Sequence, residues 1–231
     1  MIRFSDFEKK IDASFKDKDL LKQAFTHRSY INENPGATLS HNERLEFLGD
    51  AVLELIVTDF LYKKYSHYTE GELTAVRSAL VNAVIIAEVA GSIGINDYLL
   101  LSKGEAKDNG KARQYILANT YEALIGALYL DQGYARVDQF VGKTLLPRTE
   151  EIVSKKLWRD AKSLIQEKAQ EFVQVTPLYK VLHESGPDHD KHFTVGIYFG
   201  KEFIAQGKGK SKQEAEHKAA EAALKARNWL D

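Results

Sequence analysis

The sequence predicts an all-α domain followed by a small α+β domain in the order helix, three strands, helix. Three observations carry this. Between Pro35 and Pro147, apolar residues recur at three-and-four spacing. After Pro147 the period shortens to two over three short segments. Those segments lie between two amphipathic stretches, all within about 70 residues, enough for a two-layer fold. The expected boundaries are 1–147 for the helical domain, 148–159 for a charged linker or helical stretch and 160–231 for the second domain.

The helical pattern is clearest over 19–26, 42–65, 72–93 and 114–132. Thr69 and Glu72 have capping-box spacing, so a helix starts there. Gly91, Gly94 and Gly133 stand where helices should stop. In the second domain, helices are expected over 161–173 and 212–227, the latter with an alanine stripe at Ala215, Ala219, Ala220, Ala222 and Ala223. Alternation over 178–184, 192–199 and 201–206 marks the strands, with Gly200 turning the second into the third.

Composition narrows the function classes. Of 231 residues 44% are hydrophobic and 28% charged, which excludes a disordered chain. With no cysteine, disulfides, thiolate zinc sites and cysteine nucleophiles are excluded, in keeping with a reducing, cytoplasmic setting. Residues 1–18 contain no signal-peptide core, and no apolar run approaches the roughly 20 residues of a membrane span, so no membrane partner is expected. Lys+Arg number 32 against 33 Asp+Glu, so nucleic acid can be bound only through local basic patches.

The segment Glu43-Arg44-Leu45-Glu46-Phe47-Leu48-Gly49-Asp50 carries the most chemistry. On a helix, Glu43, Glu46 and Asp50 fall within roughly 60° of one another. Leu45, Leu48, Val52, Leu55 and Ile56 cluster on the other side. Like charges at this spacing weaken a helix; an acidic solvated face is the plain reading, and a metal site the sharper one. Phe47 points to the acidic side, where a contact with a second chain explains it and a place beneath a neighbouring loop is the alternative. Asn119 and Glu122 form a second pair one turn apart, and Gly126 leaves space a turn later. Hard oxygen donors from two helices suit Mg²⁺ or Mn²⁺, which serve phosphodiester hydrolysis. His183, His189 and His192 have no partners that suit zinc.

Residues 42–53 resemble the signature of bacterial ribonuclease III, matching it at every position of 43–50. Thr26-His27-Arg28-Ser29-Tyr30 upstream and Glu122-Ala123-Leu124-Ile125-Gly126-Ala127 downstream support the resemblance. The C-terminal region resembles a double-stranded-RNA-binding domain in the family's order. The resemblance implies a Mg²⁺-dependent endonuclease, with Mn²⁺ as a substitute, that cuts both strands of RNA duplexes. It implies products with 5′-phosphates and 3′-hydroxyls, in the maturation or decay of rRNA and mRNA. By position it makes Glu46, Asp50, Asn119 and Glu122 metal ligands, with Asp50 and Glu122 catalytic. Glu43 and Glu70 are further acids of the cleavage valley, and Phe47 belongs to a homodimer interface. The family usually has Asp where this chain has Asn119, which keeps a carbonyl donor but removes a charge. That departure leaves room for a double-stranded-RNA-binding protein with a catalytically weak nuclease domain.

Residues 160–231 hold 11 Lys+Arg and 11 Asp+Glu, so RNA binding must be local. The run Gly207-Lys208-Gly209-Lys210-Ser211-Lys212 puts lysines and backbone N–H groups at a helix start, which reads either as an anion site or as a solvated Gly-Lys loop. The resemblance assigns Lys208, Lys210 and Lys212 to phosphates, and Gln166, Glu167 and His189 to minor-groove 2′-hydroxyls. Lys103, Lys107, Lys111 and Arg113 form a second basic stretch, read either as an RNA guide or as a solvated loop.

Overall fold

The computed structural model describes residues 3–107, 110–156, 158, 160–187 and 190–229. The chain forms two compact units, Met1–Trp158 and Arg159–Asp231. In the first, the described helices are α1 (Phe4–Lys10), α2 (Lys18–Ala24), α3 (Arg28–Glu33), α4 (Glu43–Lys64), α5 (Glu70–Leu80), α6 (Ala83–Ser92), α7 (Lys111–Gln132), α8 (Tyr134–Thr144) and α9 (Arg148–Ser154). Their packed core is centred on α7, where residues 123–128 are all buried. A long helix without a polar face on that turn must be enclosed by others.

Local chemistry explains where the helices begin. Asp17 caps α2 by accepting from the backbone N–H groups of Asp19 and Leu20. The Thr69–Glu72 capping box forms with both of its hydrogen bonds. The single helix expected over 72–93 is instead two, bent by 47°. Asn82 causes the break, its side chain accepting from Val84 N and Ile85 N at 3.0 Å each and so starting α6. Apolar spacing runs on across this joint, so periodicity alone hides it. Gly91 lies inside α6 rather than at its end; Gly94 and Gly133 both take φ of +79° beyond helix ends. Residues 148–159, expected as a charged linker or helical stretch, open with α9, whose Thr149 and Ile152 are buried. Leu55, expected on the apolar stripe of α4, is 57% exposed because Val52, Leu53, Ile56 and Val57 face the core instead.

The second unit is α10 (Ala161–Val173), β1 (Pro177–Ser185), β2 (His192–Phe199), β3 (Glu202–Gly209) and α11 (Lys212–Arg227). Its sheet is antiparallel in the order β1-β2-β3. Phe193, Val195, Ile197 and Phe199 point to one side of β2 and are buried with the helix alanines. Ala215, Ala219, Ala220 and Ala223 of α11 are fully buried. A Cβ built on Gly207 would stand 2.2 Å from Ala219 N, and one on Gly209 2.6 Å from Ala215 N. Small residues on both sides thus let α11 lie against β3. Strand alternation then turns Lys208, between the two glycines, to solvent.

Candidate active site and RNA-binding surface

The crossing of α4 and α7 builds the acidic site. A Cβ on Gly49 would lie 1.7 Å from the backbone oxygen of Glu122, and one on Gly126 would lie 2.2 Å from that of Leu45. Two glycines, one per helix, therefore bring the backbones into contact. Glu46 and Asp50 flank Gly49 on α4, while Glu122 and Asn119 stand one and two turns before Gly126 on α7. Backbone contact is what brings these four side chains near one another.

Their electrostatics follow from that closeness. Burial, then the charges of Asp50 and Glu46, push the Glu122 carboxyl up from 4.5 to about 7. Glu46 is also raised, first by burial and then by Glu43 and Asp50; the Asn119 amide, hydrogen-bonded to it, opposes the rise. No described ion pair engages Glu46, Asp50 or Glu122 with a lysine or arginine. Among the described residues no three Asp, Glu or His side chains converge closely enough to hold an ion as they stand. The donor set nevertheless fits a hard divalent cation: three carboxylates and one amide oxygen, with one carboxylate largely buried and repelled by its neighbours. A cation is the group whose arrival offsets that repulsion.

Glu43 begins α4 and acts on Glu46 through its charge. Arg28 Nη1 lies 3.3 Å from Glu43, and His41 Nδ1 3.8 Å from it. Glu70 stands apart from the four. It accepts from Thr74 Oγ1 at 3.3 Å and lines a hollow with Thr58 and Tyr62, about 12 Å or more beyond Asp50 along α4 at 1.5 Å per residue. Phe47 is 83% exposed beside a hollow lined by Leu20, His41, Arg44, Leu48 and Leu130.

In the second unit, Gln166 and Glu167 line an open depression along α10. The start of α11 is already capped: Ser211 accepts from Glu214 N, and Glu214 in turn accepts from Lys210 N at 2.8 Å. Fewer backbone donors remain for an anion than the sequence suggested. Lys208 and Lys210 remain exposed, and Lys212 Nζ lies 5.7 Å from the Phe193 ring centroid. Lys210 Nζ reaches Asp190 at 4.0 Å, which ties this junction to the β1–β2 connection. His189 lies in that connection, outside the described residues.

Sequence reasoning did not single out Arg28, Arg77 or Glu54. Arg28 lies in the Thr26–Tyr30 motif, and Glu54 follows Asp50 by four; those were the only signals, since ion pairs between helices leave no periodic trace.

An acidic metal-type site on packed helices, joined to a helix–three-strand–helix RNA-binding module, defines an endoribonuclease equipped to bind double-stranded RNA. The chain belongs to the ribonuclease III family. Residues 17–149 match the family model for ribonuclease-III-like domains, and residues 161–226 that for the double-stranded RNA binding motif. It is 45% identical over 224 residues to the ribonuclease 3 of Borreliella burgdorferi, covering 97% of this chain and 91% of that one. With the ribonuclease 3 of Protochlamydia amoebophila it shares 46% identity over 217 residues, 94% and 89% of the two chains. Among solved structures, a ribonuclease III nuclease domain from Campylobacter jejuni, described for flexibility in its dimer-forming region, superposes with a TM-score of 0.56 at 38% identity. That match covers 61% of this chain and 94% of the other.

Proposed function

We propose that this endoribonuclease uses Mg²⁺, with Mn²⁺ as a substitute, to cut both strands of RNA duplexes, and that it works as a homodimer in the cytoplasm on rRNA and mRNA precursors. The observation that carries the reading is the uncompensated carboxylate set, Glu46, Asp50 and Glu122, beside Asn119 at a glycine-mediated helix crossing. These four would hold the ion. When bound, it supplies Lewis acidity for the phosphate and an activated water.

The chain's own groups do the rest. In the metal-free site burial and the neighbouring carboxylates raise the Glu122 carboxyl to about 7, so near neutral pH binding of the ion would be coupled to release of its proton. Asp50 and Glu46 keep the site anionic, and Asn119 orients Glu46. Addition of water to phosphorus with cleavage of the P–O3′ bond leaves a 5′-phosphate on one product and a 3′-hydroxyl on the other. Glu43 extends the acidic lining at the start of α4, and Glu70, which lies beside Thr58 and Tyr62 farther along α4, is a further acid of the cleavage valley. Lys208, Lys210 and Lys212 meet phosphates, while Gln166, Glu167 and His189 meet the minor groove, which holds the duplex by shape rather than sequence.

A single chain has one such site, whereas a duplex has two strands. A two-fold dimer supplies the second site. Phe47, Ala51, Leu55 and Tyr62 form an exposed stripe along α4, and the hollow beside Phe47 offers a place for the Phe47 of another copy.

Incubating a long RNA duplex with the purified protein tests the reading. Cleavage in Mg²⁺ that stops in EDTA, with 5′-phosphate ends, is expected. Undiminished cleavage in EDTA overturns the metal requirement. No cleavage in Mg²⁺ or Mn²⁺, with activity appearing in Asn119→Asp, favours a binding protein with a weakened nuclease domain.

A further inference from the structure

The acidic stripe on α4 is longer than the proposed metal set. Glu54 lies one turn beyond Asp50, so Glu43, Glu46, Asp50 and Glu54 run down one side of the helix at spacings of three, four and four. The two ends of this stripe are neutralised by arginines from other helices. Arg28, the first residue of α3, sets Nη1 3.3 Å from Glu43. Arg77, in the last turn of α5, sets Nε 3.0 Å from Glu54 and donates from Nη1 to Thr58 Oγ1 at 3.0 Å. The inner carboxylates, Glu46 and Asp50, have no such partner among the described ion pairs. Glu43 and Glu54 are about 16 Å apart along the helix axis.

As tethers between helices, such half-exposed pairs contribute little. Their placement has a stronger electrostatic reason. A strand that brings one phosphate to the inner carboxylates also carries its neighbouring phosphates past the outer ones, where like charges repel. An arginine at each end reverses the sign there. Each guanidinium has five donors in a fixed fork suited to phosphate oxygens. The described side-chain contacts engage one donor group on Arg28 and two on Arg77. Arg28 is also held from behind. It follows His27, which caps α3 and bonds Ser29 Oγ at 2.8 Å, and Ser29 Oγ accepts from Ser102 N at 3.0 Å.

We propose that Arg28 and Arg77 are phosphate-anchoring residues that hold the RNA strand on either side of the phosphate to be cut, exchanging carboxylate oxygens for phosphate oxygens when RNA arrives. This rests on the nuclease reading above, which places the scissile phosphate at Glu46, Asp50 and Glu122.

The test compares Arg77→Gln, Arg77→Lys, Arg28→Gln and Glu54→Gln in the full chain on a defined RNA hairpin. Arg77→Gln and Arg28→Gln should each lower kcat/KM about tenfold or more and make its salt dependence less steep by roughly 0.9 in the log–log slope, as for one lost phosphate contact. Arg77→Lys should recover part of the rate and all of the slope. Glu54→Gln frees Arg77 and should leave kcat/KM equal or higher. A hairpin with one uncharged methylphosphonate beside the cleavage point should slow the wild type at a position where Arg77→Gln is indifferent. If Glu54→Gln and Arg77→Gln lose equally, with an unchanged slope, the arginine is a tether and the proposal falls. If the wild type does not cleave, the nuclease reading fails separately. The salt slope of hairpin binding in EDTA then decides: a drop of about 0.9 in the arginine variants supports the anchors, and no drop overturns them.

Discussion

Replacing Glu122 by glutamine should stabilise the metal-free protein while removing cleavage. The rise of the Glu122 carboxyl from 4.5 to about 7 means that holding it ionised costs the fold free energy. At about 1.4 kcal/mol for each tenfold in the ionisation constant, the full rise corresponds to roughly 3 kcal/mol, and solvent screening at this partly open site lowers it to about 1–3. The folded value lies above the unfolded one, so protonated Glu122 favours folding. That contribution is complete below about pH 4.5 and is lost as pH rises through 7. Glutamine has no charge to lose. At pH 8 in EDTA, Glu122→Gln should therefore melt about 2–12 °C higher than wild type, given roughly 2–4 °C per kcal/mol for a unit of this size. The gap should close below pH 5. Excess Mg²⁺ should raise the wild type by mass action and narrow the gap from the other side. Thermal unfolding followed by circular dichroism at pH 5 and pH 8, with and without Mg²⁺, reads all of this. A variant no more stable than wild type at pH 8 in EDTA, or a gap independent of pH, refutes the argument that burial and carboxylate repulsion strain this site.

Other consequences are equally concrete. Gly49→Ala puts a methyl group 1.7 Å from the Glu122 backbone oxygen, so urea unfolding should show a loss of about 3 kcal/mol or more, with cleavage lost as the helices separate. Phe47→Ala should weaken a dimer seen by sedimentation, and a wild type that stays monomeric at micromolar concentration would end the homodimer proposal. Truncation after Trp158 should weaken duplex binding far more than it slows chemistry, whereas unchanged affinity would contradict the roles given to Lys208, Lys210 and Lys212. Asn119→Asp restores a negative charge beside Glu46, and a Mg²⁺ titration should show half-maximal cleavage at a lower concentration.

The class of each domain, the exact spans of α10 and α11, and the acidic segment that opens α4 could be read from the sequence. Each depends on local order: period 3.6 against period 2, a capping residue, a motif on one helix face. The Asn82 joint and the burial of α9 could not be read, because apolar spacing continues through the first and charge disguises the second. Helical spacing placed Asn119 and Glu122 on a shared face of one helix, and the family resemblance grouped them with Glu46 and Asp50 as ligands, but no local pattern showed how the two helices meet. Only the packing of Gly49 on Glu122 and of Gly126 on Leu45 decided that, since contact between residues some 75 positions apart has no local signature. The same contact decided the chemistry of the site. Glu122 is an ordinary glutamate in the sequence; burial beside two other carboxylates moves its proton affinity toward neutrality.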